Sequence, residues 1–265
     1  MFASKTDRDW EYFGKNDPYF GVLTHDGFKL GQLSADAKKE FFATGVRYVD
    51  AILTTVRERL EPAFQPTRAL DFGCGVGRLV IPLAGVCTSV VGVDVSESML
   101  AVAEENCREM GRPNVTFAKA DDTLSGVSGS FDFVHSFIVF QHIPPERGVV
   151  IFRRLIGLLQ DDGIGVLHFT YSYATTVSLR RRLLKAALES IPIGHGLLNL
   201  VRGRSFREPV MQMNEYDVNQ LLRILQESDC HEIHLRFTET SVGGHPFYGV
   251  VLFFRKRHLD VRAHA

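Results

Sequence analysis

The stretch from Arg68 to Ala84, R-A-L-D-F-G-C-G-V-G-R-L-V-I-P-L-A, restricts the possible folds more than any other part of the chain. A short apolar run, Ala69-Leu70, ends in an acid, Asp71. Glycines follow at alternate positions, Gly73, Gly75 and Gly77, and Leu79-Val80-Ile81 is apolar enough to begin a helix. Strand, glycine turn and helix is the arrangement that brings backbone N–H groups and a helix N-terminus against a ligand. Glycine suits the turn because the backbone takes positive φ there and a Cβ would block close approach. The spacing D-x-G-x-G-x-G is not the G-x-G-x-x-G of dinucleotide turns, and no Lys-Ser or Lys-Thr follows to make a Walker phosphate cradle.

The next segments alternate in type. Ser89 to Val95 is a β-branched run ending at Asp94, 23 residues after Asp71. An acid at this point of a doubly wound sheet accepts hydrogen bonds from ribose hydroxyls. Ser96 caps a helix to about Met110, with Met99, Val102 and Ala103 inward. Val115 to Ala120 alternates as a strand and stops at Asp121-Asp122. Phe131 to Phe140 is nearly all apolar and reads as a central strand. Pro144 opens a helix to Gln160, ended by Asp161-Asp162-Gly163, and Gly165 to Tyr171 is a fifth strand. The order β-α-β-α-β-loop-β-α-β predicts an α/β fold with a doubly wound, mostly parallel sheet. Ligands in such sheets sit at the carboxyl ends of the strands, where Asp71, Asp94, Asp121 and Ser136 all fall.

The glycine turn resembles the first motif of the class I, Rossmann-like S-adenosylmethionine-dependent methyltransferases of small-molecule type. F-D-x-V-x-S-x-x-V-x-Q-H-I, Phe131 to Ile143, resembles their fourth motif. The resemblance covers Arg68 to Tyr171 and, more loosely, the terminal hairpin. It implies S-adenosyl-L-methionine as cofactor. Gly73 to Gly77 would surround its methionine part, with Asp71 near the ammonium group. Asp94 would take the ribose. Asp121 with Asp122 would take the adenine, Asp121 preferred, with Met99 packed nearby. Ser136 and Phe137 would line the methyl side, and Cys74, Arg78 and Val95 belong to the same cofactor-binding set. The resemblance further implies seven strands with an antiparallel last one, and an N-terminal segment that caps the cofactor.

Outside that core, 265 residues divide as an N-terminal cap and helix (1–66), the cofactor-binding core (67–171), an inserted lid (172–210), a helix and strand hairpin completing the sheet (211–257) and a polar tail (258–265). Residues 1–33 read as irregular and aromatic, with a short helix from Asp7 to Lys15 and a loop at Asp17-Pro18 and Gly21; Tyr19 and His25 are conceivable lid contributors. Ser34 to Leu60 reads as one helix with Phe42, Val46, Val49, Leu53, Val56 and Leu60 on its apolar face, stopped by Pro62 and Pro66. Ser178 to Ile191 reads as an amphipathic helix. Arg180, Arg181, Arg182, Lys185, Arg202, Arg204 and Arg207 make 172–210 basic. That suits a lid over an anionic acceptor, and equally a face of 178–207 lying on an anionic membrane surface or merely solvated. Asn214 caps a helix over Glu215 to Glu227, and strands follow at Glu232–Thr240 and Phe247–Lys256.

With a net charge of −1, nothing global points to nucleic acid. The N-terminus has no apolar signal core and no run is long enough to span a membrane. Cys74, Cys87, Cys107 and Cys230 form no C-x-x-C pair and read as reduced thiols, so the expected location is cytoplasmic. His231 and His234 point to opposite faces of a strand, which argues against a metal. Methyl transfer to oxygen benefits from a general base; His142, His168 and Tyr171 are the candidates. The expected function is O-methylation of a small anionic, sugar- or lipid-linked acceptor. The alternatives are a non-catalytic S-adenosylmethionine-binding partner subunit and a nicotinamide-dependent oxidoreductase. Oligomeric state is open.

Overall fold

A computed structural model describes residues 4–173, 208–242 and 245–257. The helix expected at Ser178–Ile191, the basic cluster from Arg180 to Arg207 and the tail lie outside the described residues. The N-terminal region holds α1 (Lys5–Asn16), α2 (Pro18–Val22) and α3 (Ala35–Arg59). The alternating core follows as β1 (Arg68–Phe72), α4 (Val80–Ala84), β2 (Ser89–Asp94), α5 (Glu97–Glu109), β3 (Val115–Lys119), β4 (Phe131–Ser136), α6 (Pro145–Gly157) and β5 (Leu159–Tyr173). It ends with α7 (Val218–Gln226), β6 (Glu232–Val242) and β7 (His245–Arg255). The seven strands form one sheet in the order β3-β2-β1-β4-β5-β7-β6. β1 to β5 pair in parallel, and β7 runs antiparallel to both β5 and β6. This is the expected doubly wound sheet with an antiparallel last strand.

Two apolar layers sandwich the sheet. α3, α4 and α5 cover one face through residues such as Phe41, Val49, Ile52, Leu83 and Met99. α6 and α7 cover the other through Ile151, Phe152, Leu155, Leu221 and Leu225. The helices begin where the sequence offers caps: Ser34 Oγ accepts from Ala37 N–H (3.1 Å) and Ser96 Oγ from Met99 N–H (3.1 Å). Among the described residues no helix is long and apolar enough to cross a membrane, and all four cysteines are free and buried.

Several local expectations are corrected. The loop at Asp17 to Gly21 is α2: Pro18 sits at a helix start, where its missing N–H costs nothing. A Cβ at Gly21 would press on Met99 Cε at 2.9 Å, so the glycine serves packing rather than a turn. On α3 the buried face includes Phe41, Gly45 and Ile52, whereas Val46 is 46% exposed. The strand expected to reach Phe140 stops at Ser136 because Ile138 adopts left-handed φ (61°), and Phe140–His142 forms a 3-10 turn. That conformation is costly for a β-branched residue, so the surrounding packing must impose it. The helix expected to reach Gln160 ends at Gly157; Asp161 to Gly163 lie within β5, whose pairing with β4 slips there. α7 is capped by Asp217, which accepts from Asn219 N–H, and not by Asn214, which bonds the Gln141 carbonyl.

Gly45 allows α3 to approach the glycine turn so closely that a Cβ would overlap the Arg78 carbonyl oxygen. Gly45→Ala is expected to destabilise the fold by about 1–3 kcal/mol, the usual cost of overpacking. Thermal unfolding measures this, and an unchanged melting temperature would contradict the packing described.

Candidate active site

A hollow opens at the carboxyl ends of β1 and β2, with a cavity volume of about 50 Å³. Its floor is Phe72, Gly73, Asp94 and Val95; Ala120 and Asp121 close one side; Val139, Ile143 and Ile151 form an apolar wall. α1 is its roof, through Thr6, Asp7 and Trp10. The glycine turn positions the floor. Gly73, Gly75 and Gly77 all have positive φ, and the N–H groups of Gly73 and Cys74 both donate to the Val93 carbonyl (2.7 and 3.0 Å), tying the turn to β2.

Asp94 is half-buried at the end of β2. Its two oxygens accept from Gly75 N–H and Ser96 N–H, each at 2.9 Å. Desolvation outweighs these bonds and pushes its pKa up to about 6. A carboxylate poised there gains from any ligand that donates hydrogen bonds to it. The ionised form binds donors better, so affinity for a polyhydroxylated ligand should fall below about pH 6, approaching tenfold per pH unit well below the pKa. Titrations at pH 5 and 7.5 read this directly, and Asp94→Asn should flatten the profile.

The two acids after β3 are otherwise engaged. The Asp121 carboxylate accepts from the N–H and hydroxyl groups of both Thr123 and Ser125, which hold its pKa well below the usual range. Asp122 pairs with Arg147 of α6. Arg147 also donates to Ser4 Oγ (2.9 Å) and Asp7 Oδ1 (2.6 Å), locking one end of α1 over the hollow. Farther along α1, Glu11 accepts from the Ser96 and Ser98 hydroxyls, both at 2.7 Å. Despite desolvation that opposes it, these bonds pull its pKa down to about 2.

Gly73, Asp94, Val95 and Asp121 are thus brought together. Cys74, Gly75, Gly77 and Met99 lie behind them: Met99 is buried in the core, and Val22 of α2 fills the space where Gly75 would carry a Cβ, 2.5 Å away. Asp71 is buried beneath the turn and accepts from His135 Nδ1 (2.7 Å), whose Nε2 stands 3.3 Å from the Tyr48 hydroxyl. Ser136 Oγ donates to the Phe72 carbonyl (2.9 Å), and Phe137 packs between Tyr48 (4.1 Å) and His168 (5.1 Å). Arg78 is buried against α3.

The three proposed bases do not converge. His142 donates from Nδ1 to the Gln212 carbonyl (2.7 Å) and meets the Gln141 amide through Nε2 (3.1 Å), with the Trp10 ring edge-on at 4.9 Å. Burial lowers its pKa to about 4, as it does that of His168. His168 Nε2 lies 3.2 Å from Thr238 Oγ1. Tyr171 packs in the opposite layer, near Phe237 and Tyr248. Tyr19 donates to Asn106, and His25 accepts from Gly27 N–H. Sequence reasoning missed Trp10, Asp7 and Arg147. The aromatic richness of residues 10–20 and the resemblance both pointed to an N-terminal cap, without naming these contacts.

Comparison with known proteins gives the same picture. The family described as "Methyltransferase domain" matches residues 69–163. A ubiquinone biosynthesis O-methyltransferase of Methylococcus capsulatus is 36% identical over 85 residues, 31% of this chain and 35% of that protein. An uncharacterized RNA methyltransferase of Thermosynechococcus vestitus is 36% identical over 114 residues, 42% of this chain and 24% of that protein. The chain therefore spans only about a quarter to a third of these curated relatives. The magnesium protoporphyrin IX methyltransferase of Synechocystis PCC 6803, solved with S-adenosylmethionine bound, superposes with a TM-score of 0.60 at 19% identity, covering 97% of this chain and 100% of that one. The N-methyltransferase of Bradyrhizobium japonicum solved with S-adenosylhomocysteine gives 0.56 at 14% identity, covering 96% and 100%. Residues 69–163 match a methyltransferase domain, and the chain shares the fold of these methyltransferases of known structure.

Proposed function

We propose that the chain transfers a methyl group from S-adenosylmethionine to a small-molecule acceptor, most simply to an oxygen of an anionic, sugar- or lipid-linked compound. The observation that carries the reading is the pairing, in one roofed hollow, of a half-buried carboxylate at the end of β2 with apolar walls. These residues fit the cofactor. Asp94 can accept from a ribose diol, and Trp10, Val139, Ile143 and Ile151 offer the flat apolar surfaces an adenine needs. When bound, S-adenosylmethionine supplies an electrophilic methyl on a sulfonium whose leaving group is a neutral thioether. The chain's own residues then have to orient and desolvate, tasks that supply much of a barrier reduction. Asp121 enters the wall with its carboxylate committed to its own turn, so a direct bond to the adenine amine would have to displace an existing one.

Strong general-base catalysis is not what His142 or His168 is built for: a pKa near 4 makes a weak base at neutral pH. Rate enhancement by alignment is the better fit. Oxygen as acceptor atom draws support from the ubiquinone-pathway relative. RNA methylation is the competing reading because RNA methyltransferases are among the matched relatives, although the net charge of −1 does not favour it. The test is calorimetric titration with S-adenosylmethionine and S-adenosylhomocysteine, followed by radiolabelled methyl transfer to panels of anionic small molecules and to total RNA. Label in the small-molecule pool supports the proposal; label confined to RNA, or no cofactor binding, overturns it.

A further inference from the structure

His142 immediately precedes Ile143, which lines the hollow, and is itself buried. Both of its ring nitrogens are engaged. Nδ1 donates to the Gln212 carbonyl at 2.7 Å, and Nε2 accepts from the Gln141 side-chain amide at 3.1 Å. That amide has its own orientation fixed, because its oxygen accepts from the Thr170 hydroxyl at 2.9 Å. This chain of bonds requires one tautomer, with the proton on Nδ1, and burial keeps the ring uncharged at neutral pH. With both nitrogens committed, what the imidazole offers its surroundings is a ring plane that cannot turn.

That plane stands against the roof of the hollow. The Trp10 ring lies 4.9 Å from the His142 ring, at 63° to it, and Trp10 lines the hollow. The supports behind His142 are tied down in turn. Asn214 donates to the Gln141 carbonyl through its backbone N–H (2.7 Å) and its side-chain amide (3.1 Å), and the Tyr216 hydroxyl donates to the Ile143 carbonyl at 2.8 Å. A Cβ at Gly148 of α6 would lie 1.9 Å from that hydroxyl, so residues 212–216 are packed without slack. The roof meets the same segment directly, where Thr6 Oγ1 donates to Gln212 Oε1 at 3.4 Å. Contacts between aromatic rings are directional. A histidine of fixed plane therefore fixes how the indole lies over the hollow.

We infer that His142 is a positioning residue: locked between Gln141 and Gln212, it sets the Trp10 ring over the hollow, and with it the affinity for the adenosine end of the cofactor. This inference rests on the cofactor reading above, in which Trp10 offers the adenine a flat apolar surface.

Trp10 is the single tryptophan of the chain, so intrinsic fluorescence reports this ring alone. The experiment titrates the full chain with S-adenosylhomocysteine and with 5′-deoxy-5′-methylthioadenosine, which share the adenosine end, and both should change the wild-type emission. His142→Leu should shift the emission to the red, raise quenching by acrylamide and weaken both ligands by about 3–10-fold, the range for losing one aromatic contact. His142→Asn keeps a donor for the Gln212 carbonyl and should fall between. Trp10→Ala should weaken both ligands by about tenfold or more. Adding His142→Leu to it should cost less than about twofold again, because two residues acting as one unit are not additive. Losses that multiply in the double variant overturn the inference. So does a His142→Leu chain whose affinity falls with unchanged emission, or whose affinity and emission both stay at wild type. Should His142→Leu fail to fold, Gln141→Met decides, since it leaves the imidazole and removes the donor to Nε2. Raised quenching together with weaker binding supports the inference, and any other result overturns it. A wild type that binds S-adenosylhomocysteine with no change in Trp10 emission overturns the inference and leaves the cofactor reading standing. A wild type that binds neither ligand refutes both.

Discussion

Asp94→Ala should lower affinity for S-adenosylhomocysteine by at least about 100-fold. Hydrogen bonds to a charged group contribute roughly 1.5–3 kcal/mol each, and a ribose diol can make two with this carboxylate; each 1.4 kcal/mol is about tenfold in affinity. The substitution also frees the Gly75 and Ser96 N–H groups that Asp94 now holds at 2.9 Å, leaving the Val93 carbonyl as the turn's hydrogen-bonded tie to β2 among these contacts. Asp94→Asn keeps the shape and one acceptor oxygen and should cost about tenfold. Calorimetry checks both. Affinity within threefold of wild type in the alanine variant would mean that the ligand lies elsewhere in the hollow.

Arg147→Met should release the roof. The guanidinium sits between the carboxylates of Asp7 and Asp122 and also donates to Ser4. Removing it leaves two acids near one another without their cation, and the Ser4 capping box that starts α1 shares the loss. Glu11 on Ser96 and Ser98, and Trp10 on His142, still hold the helix farther along, so the expected result is local opening rather than unfolding. Hydrogen exchange in residues 5–16 should rise, and dissociation of S-adenosylhomocysteine should accelerate by about tenfold or more, in line with a partly buried ion pair worth 1–3 kcal/mol. Exchange confined to its wild-type rate would show that the clamp at Glu11 suffices alone.

The same two sites mark how far the sequence carries. The Asp94 position was legible because β-branched alternation ends there and a capping serine follows, both short-range signals. The fate of Asp121 was legible too, in hindsight: Thr123 and Ser125 follow at the spacing of a self-bonded Asx turn, a pattern that competes with ligand binding. The end of β4 was not, since Phe131 to Phe140 is apolar throughout, and only packing drives Ile138 to positive φ. The ion pair that fastens the roof was not legible either: Asp7 meets Arg147 across 140 residues of chain.

The sequence by itself determined the element order, the parallel sheet, the glycine turn and the acid at the end of β2. Each depends on backbone conformation, side-chain period or a cap within a few residues, and such interactions are written locally. Only the tertiary structure decided which face of α3 is buried, that α1 covers the hollow, that Asp71 is held by His135, and that the buried Arg78 Nε has no acceptor among the described residues. Those are outcomes of packing between segments far apart in the chain, where shape and charge from several elements must be satisfied together, and no local period or spacing encodes them.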